Sequence, residues 1–284
     1  MTNMKQRIIT SILILAVIVP VILLSEYPVY PVALSLLSGM ASFEMLRVLG
    51  IHKKKSVFIP TYAISILLPL FTHDIFLGPD AALATDYILI CLGAIFFYLL
   101  YLMGAAVFSH GELTATKIGE VFMTETYIVC SFTALSLLRY INGGEVVFLL
   151  VFIGAWVSDV GAYFIGSFIG KHKLIPDVSP KKTVEGSIGG IVTAAIASVL
   201  YGLLIGSLSD TLSPNYVVLA LAGVLLSVVS QIGDLIASLI KREHGIKDYS
   251  NLLPGHGGIM DRFDSIMAVS VPLLVICLIW APFS

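Results

Sequence analysis

Charge is what this 284-residue chain has least of. Asp, Glu, Lys and Arg make up 12% of it against 58% hydrophobic residues, where soluble globular domains carry about 25% charged residues. That balance excludes a soluble domain of this size. The 16 Lys and Arg against 18 Asp and Glu leave a net charge of −2, uninformative as a total, since the distribution of charge carries the information; no nucleic-acid partner is expected. Cysteine is equally sparse. Cys91, Cys130 and Cys277 all fall inside apolar runs with no C-x-x-C spacing, which excludes a disulfide framework or a zinc ribbon and leaves them as small packing residues. His52, His73, His110, His172 and His244 show no metal-ligand spacing. Low-complexity linkers, a soluble domain and clear internal repeats are all missing. No small-x-small cleavage site follows Leu24, so the apolar run after Lys5 and Arg7 is expected to stay as an uncleaved anchor.

What the chain has instead is apolar length. Runs able to cross a bilayer, by the rule of about 20 residues, fall at 8–24, 29–49, 57–72, 87–108, 121–140, 146–169, 187–208, 216–240 and 265–283. The expectation is therefore an all-α, polytopic integral membrane protein of about nine transmembrane helices. Pro20, Pro69 and Pro272 lie within these runs, where kinks are tolerated. With the N-terminus in the cytosol and the C-terminus outside, 15 of the 16 cations fall on the inner side and only Arg139 outside. The outer loops hold Asp74, Asp80, Asp86 and Asp210. This separation follows the positive-inside rule and faces the loops at 50–56, 109–120, 171–183 and 241–264 to the cytosol. A single membrane domain, 1–284, is expected, with scaffold helices over 1–140 and catalytic helices and loops over 141–284.

An ionised side chain near the bilayer centre costs about 2.5–3.5 kcal/mol on insertion scales, so each one calls for a reason. Along the eighth run, Ser227, Gln231, Asp234, Ser238 and Lys241 are spaced by 4, 3, 4 and 3, which is one helical face. Interhelical hydrogen bonding accounts for the Ser and the Gln; it does not account for Asp234. In the sixth run Asp159 follows Ser158 and shares a face with Tyr163 one turn on. Gly161, Gly166 and Gly170 there read as close-packing positions. In the second run Glu44 and Arg47, at i and i+3, are either a structural pair or part of a site.

Two loops concentrate the remaining charge. The first carries Ser179, Lys181, Lys182 and Thr183, either a phosphate-binding set or a basic patch drawn to anionic headgroups. The second runs from Ser238 to Asp264 and packs Lys241, Arg242, Lys247 and Arg262 beside Asp248, Asp261 and Asp264, with Gly255, Gly257 and Gly258 around His256. A magnesium-bound polyphosphate needs this combination: Lys and Arg for phosphate oxygens, Asp for Mg²⁺, and Gly for close backbone approach.

The second loop resembles the signature of the membrane-integral phosphatidate cytidylyltransferases, or CDP-diacylglycerol synthases: S-x-hydrophobic-K-R, then K-D-x-S, then L-P-x-H-G-G-hydrophobic-x-D-R-hydrophobic-D. The S-D-x-G-A-Y segment at 158–163, S-P-K-K-T-x-E-G at 179–186 and Q-x-G-D-L at 231–235 are also similar to that family, as is F-E-x-L-R at 43–47. Val184 stands where many relatives carry Trp.

The resemblance implies a reaction in which CTP and phosphatidate give CDP-diacylglycerol and pyrophosphate, with Mg²⁺ and a second cation, monovalent or divalent, as cofactors. The catalytic residues it implies are Asp234, Lys241, Arg242, Asp261 and Asp264, with Asp234, Asp261 and Asp264 as metal ligands. Substrate contacts would come from Asp159, Tyr163, Ser179, Lys181, Lys182, Thr183, Ser238, Lys247, Asp248, His256, Gly257, Gly258 and Arg262. A homodimer among membrane lipids, in a bacterial-type inner membrane with the site facing the cytosol, is implied as well. Other classes fit less of the chain. The D-G-x-x-A-R pattern of CDP-alcohol phosphotransferases is absent, and an ion-coupled transporter would leave the cytosolic signature loop without a purpose. A polyprenol kinase-like enzyme would use the same phosphate-binding parts and differ only in its substrates.

Overall fold

The computed structural model describes residues 2–76 and 82–283. Among the sequence expectations, Asp80 lies outside the described residues, as do the side chains of Lys5, Arg7, His73, Asp74, Asp86 and Cys91. Nine long helical stretches make up most of the described chain: α1 (Thr2–Leu23), α2 (Val29–Val48), α3 (Lys55–Phe76), α4 (Ala82–Val107), α5 (Ala115–Leu137), α6 (Gly144–Ile169), α7 (Val184–Leu208), α8 (Tyr216–Glu243) and α9 (Met260–Ile279). Each lies over one expected apolar run. Among the described residues five of them, α2, α6, α7, α8 and α9, are long and apolar enough to span a membrane. Shorter apolar stretches occur at Ile12–Leu23, Lys55–Phe71 and Leu92–Val107. The chain is an α-helical integral membrane protein. Among the described residues the two-stranded sheet is a hairpin, β1 (Lys173–Ile175) and β2 (Ser179–Thr183), in a segment read from sequence as loop.

The chain forms two compact units, Met1–Leu137 with Asp248–Met260, and Leu138–Lys247 with Asp261–Ser284. It therefore passes between units three times, where the sequence reading placed one division near residue 140.

In the first unit α2, α3 and α5 pack on one another and α4 joins α3 and α5. Several buried polar side chains in these apolar helices are hydrogen-bonded within the unit. The Ser42 hydroxyl donates to Glu125 Oε2 at 2.6 Å, Tyr30 donates to the Leu135 carbonyl at 3.1 Å, and Thr61 and Tyr98 share a bond of 2.9 Å. Lys54 and Glu112 form an ion pair between the loops at 50–56 and 109–120. The Lys54 ammonium holds the Glu112 carboxyl below the usual carboxylate range.

In the second unit α6 and α7 meet along a glycine seam. A Cβ at Gly161 would stand 2.6 Å from Thr193 Oγ1, one at Gly186 would stand 2.7 Å from the Ala162 carbonyl oxygen, and one at Gly190 would stand 2.8 Å from the Ser158 carbonyl oxygen. Glycine occurs on both sides of the contact, so the backbones approach more closely than any side chain would permit. Helix α7 starts at a Thr183 cap, whose hydroxyl accepts the Gly186 amide at 3.1 Å, with Glu185 in the first turn. Helix α8 starts at Asn215, which accepts from the Val218 amide at 3.2 Å. It ends with Lys241 and Arg242 in its last turn, where cations suit the helix dipole. Gly245 at φ 64° then turns the chain out of the helix. Within α6 the turn Ile153–Val157 is π-helical and leads directly into Ser158 and Asp159. Cys130 and Cys277 are half-buried thiols on α5 and α9, consistent with packing positions.

Candidate active site

The second unit gathers charged and polar side chains from α6, β2, α8 and α9. The stripe on α8 provides the axis. Ser227 is fully buried and shares a hydrogen bond of 2.6 Å with Ser158 of α6. One turn along, the Gln231 amide donates to Ser227 at 3.3 Å and to the Ser187 carbonyl of α7 at 3.1 Å, and its oxygen accepts from the Ser187 hydroxyl at 2.5 Å. These buried groups are satisfied internally. They are structural ties that fix α6, α7 and α8 to one another.

Below these ties the charges begin. Asp234 Oδ2 lies 2.5 Å from Lys182 Nζ, and that lysine also donates to the Gln231 carbonyl at 3.5 Å. At the end of the stripe Lys241 donates to Asp261 Oδ1 of α9 at 2.8 Å. The two pairs differ in their contact with water. Lys241 and Asp261 retain 13% and 3% of their side-chain exposure, Lys182 and Asp234 25% and 29%. One turn beyond Asp261, the buried Asp264 accepts the Ser265 amide at 2.7 Å. The Ser265 hydroxyl donates to Asp159 Oδ2 at 3.4 Å. Asp159 and Asp264 each lie close enough to Asp234 to be repelled by it. Three carboxylates from three helices thus face one region, with two lysines beside them.

Local structure decides which residues of the first basic loop reach this region. In β2 successive side chains point to opposite faces. Lys182 turns to Asp234, while its neighbour Lys181 is exposed. Ser179 opens the strand opposite Ile175. The Thr183 hydroxyl, expected to contact substrate, is engaged in capping α7. Tyr163 is 70% exposed with its ring edge-on to Phe164, centroids 5.6 Å apart, and makes no described bond to Asp159. Arg242, Lys247 and Arg262 are exposed, and Ser238 is half-buried.

The remainder of the signature, Asp248 with His256, Gly257 and Gly258, belongs to the first unit. There the His256 amide donates to the Leu253 carbonyl at 2.8 Å across Pro254 and Gly255, with Gly255 at φ 78°. That is a type II turn, and its third position needs glycine. Glu44 and Arg47 are not bonded to each other in that unit; both reach this loop. Glu44 accepts from Ser250 and from two backbone amides, and Arg47 donates to the Tyr249 carbonyl at 2.8 Å.

Among the described residues no group of three or more Asp, Glu, His or Cys side chains is placed to cage a metal ion. The donor set nevertheless fits magnesium. The cation takes hard oxygen ligands and is commonly held by one or two carboxylates, the remainder coming from water and substrate phosphates. Asp234 and Asp261 each have one oxygen bonded to a lysine. Sequence reading missed Ser187 and Ser265. Their partners lie on other helices, and only the position of Ser265 next to Asp264 marks it.

The sequence profile of the Cytidylyltransferase family matches residues 5–280, and the chain belongs to that family of nucleotidyl-transferring enzymes. Curated relatives cover nearly its full length. The phosphatidate cytidylyltransferase of Bacillus subtilis is 33% identical over 273 residues, 95% of this chain and 96% of the relative. The protein of the same name from Staphylococcus saprophyticus is 34% identical over 283 residues, 97% and 99% of the two chains. That of Haemophilus influenzae is 31% identical over 282 residues, 93% and 95%.

Proposed function

We propose that the chain transfers the cytidylyl group of CTP to phosphatidate, giving CDP-diacylglycerol and pyrophosphate. The observation that carries this reading is the pairing of lysines with aspartates of the membrane helices, Lys182 of β2 with Asp234 and Lys241 with Asp261, in a chain related over nearly its full length to proteins named for that activity.

A phosphate oxygen of the lipid forms the new bond to the α-phosphorus of CTP. The bond from that phosphorus to the bridging oxygen breaks, and its electron pair leaves with pyrophosphate. The attacking oxygen is already anionic, so no strong general base is needed; positioning and charge neutralisation carry the catalysis. Two anionic substrates repel each other, and Lys182 and Lys241 are the cations placed to offset that. As phosphate oxygens arrive, each lysine exchanges a carboxylate partner for a phosphate and frees Asp234 or Asp261. Those two, with Asp264 one turn on, are the residues that would hold magnesium. Bound there, Mg²⁺ would neutralise charge building on the triphosphate as pyrophosphate leaves. Exposed Arg242, Lys247 and Arg262 extend the positive surface for the triphosphate.

We propose further that all nine helical stretches span the membrane with the N-terminus inside, so that the site opens to the cytosol at a bacterial inner membrane. The Lys54–Glu112 pair supports this, since it joins two loops that the charge census assigns to one side. The test is pyrophosphate release by the purified protein. Release should require CTP, phosphatidate and Mg²⁺ together. Release with CTP but without phosphatidate, or none with both substrates and Mg²⁺, would overturn the reading.

A further inference from the structure

Glu44 is a buried, fully engaged acid of the first unit, and the proposed reaction gives it nothing to do. It sits on α2 at 3% exposure. Its Oε1 accepts from the Ser250 hydroxyl at 2.5 Å and from the Ile259 amide at 3.0 Å, and its Oε2 accepts from the Met260 amide at 2.9 Å. Those amides belong to the residue before α9 and to its first residue. The first amides of a helix have no partner within it and are normally capped by a nearby Ser, Thr, Asp or Asn. Here the residues before α9 are Gly257, Gly258 and Ile259, none with a side chain that can cap. The cap is supplied from about 215 positions earlier in the chain, and as a carboxylate it also suits the positive end of the helix dipole.

Two neighbouring facts fit the same purpose. A Cβ at Gly258 would overlap the Glu44 carboxylate, so glycine is the only residue that leaves the acid its place. Arg47, one turn on, donates to the Tyr249 carbonyl at 2.8 Å and holds the other end of the same loop. The residue after Met260 is Asp261.

We propose that Glu44 is a positioning residue for the reaction: by capping α9 from a distant helix it fixes where the helix starts, one residue ahead of Asp261. It touches no substrate. The kinetic part of this inference rests on the proposed function; the structural part does not.

The experiment uses the full-length protein in detergent. Glu44→Gln has the same shape but sets an amide group against donors, so one backbone amide loses its acceptor. Hydrogen exchange of the peptide covering 249–260 should quicken by about tenfold or more, with peptides from α7 and α8 unchanged. The kcat for pyrophosphate release should fall by about tenfold or more while KM for CTP and for phosphatidate stays within about twofold, the signature of misplaced chemistry rather than lost binding. Gly258→Ala should give the same pattern. Adding Glu44→Asp to Gly258→Ala withdraws the carboxylate by one methylene, about 1.5 Å, and should recover part of the lost kcat. A purely space-filling role for Glu44 predicts a neutral Glu44→Gln, so unchanged exchange and unchanged kcat overturn the proposal. If Glu44→Gln does not fold, Ser250→Ala removes one of the three donors and leaves the acid in place. A smaller change of the same kind supports the proposal, and unchanged exchange and kcat overturn it. An inactive wild-type protein whose 249–260 exchange still responds to Glu44→Gln would sink the proposed function and leave the cap standing.

Discussion

Removing one member of the Lys241–Asp261 pair should cost far more stability than removing one member of the Lys182–Asp234 pair. Both are close, at 2.8 and 2.5 Å, but the first has 13% and 3% of its side-chain surface left to solvent against 25% and 29% for the second. A charge left alone where water cannot reach it costs about 3–5 kcal/mol, whereas pairs open to solvent contribute about 0–1 kcal/mol. Lys241→Met and Asp261→Asn each break the buried pair and should lose about 3–5 kcal/mol. Lys182→Met and Asp234→Asn should lose less than about 2 kcal/mol. At this chain length 3–5 kcal/mol corresponds to roughly 6–20 °C in Tm. The double variant Lys241→Met with Asp261→Asn removes both charges, so its loss should fall short of the sum of the singles by at least about 1 kcal/mol. Thermal unfolding in detergent, followed by circular dichroism, measures all of these. Losses below about 1 kcal/mol for both singles of the buried pair, or a strictly additive double variant, would refute the assignment of Lys241 and Asp261 as a desolvated pair.

Four other outcomes follow from the same geometry. Asp234→Asn and Asp261→Asn should lower pyrophosphate release by orders of magnitude, because charge neutralisation in the transition state is worth several kcal/mol; Asp264→Asn should be milder and Asp159→Asn intermediate, all read from initial rates at saturating CTP. Thr183→Ala should cost about 1 kcal/mol of stability through the lost α7 cap, and Thr183→Ser should restore it in the same unfolding assay. Gly161→Ala should cost about 1–3 kcal/mol by overpacking the seam against Thr193, and Thr193→Ala should relieve part of that. Single cysteines at positions 177 and 248 should be labelled from the cytosolic side in inverted vesicles, and labelling of position 248 only from the outer side would reverse the topology.

The helical stretches were legible because a bilayer-spanning helix needs both length and apolarity; each of the nine overlaps one apolar run, and five of them are long and apolar enough to span. The α8 stripe was legible for a related reason. Spacings of 3 and 4 on one helix need no knowledge of its neighbours, and Ser227, Gln231 and Asp234 do face bonded partners. What could not be read was anything closed between distant segments. Ser187 completes the Gln231 amide from another helix, and Glu44 reaches residues more than 200 positions away. The Lys–Lys–Thr run was legible as a cationic site but not as a strand, and only strand alternation tells Lys182 from Lys181. Thr183, expected among the substrate contacts, caps α7; a hydroxyl beside lysines fits phosphate binding and helix capping equally well on sequence. Glu44 and Arg47 at i and i+3 read equally as a structural pair or as part of a site, and both find partners on the 249–260 loop.

The π-helical turn at Ile153–Val157 has a consequence for how α6 could be altered. A π turn holds one residue more than an α turn, and in an α-helix each residue rotates the chain by about 100°. The stretch before Ser158 and the stretch after it are therefore set in different rotational frames. At the turn Gly154 is pressed against Leu226 of α8, and beyond it Gly161 is pressed against Thr193 of α7. One continuous rod serves two neighbours because a single supernumerary residue re-phases it midway. Excising one residue from 153–157 would leave the hydropathy and length of α6 almost untouched, and would still swing Asp159 by about 100° relative to the α8 contact.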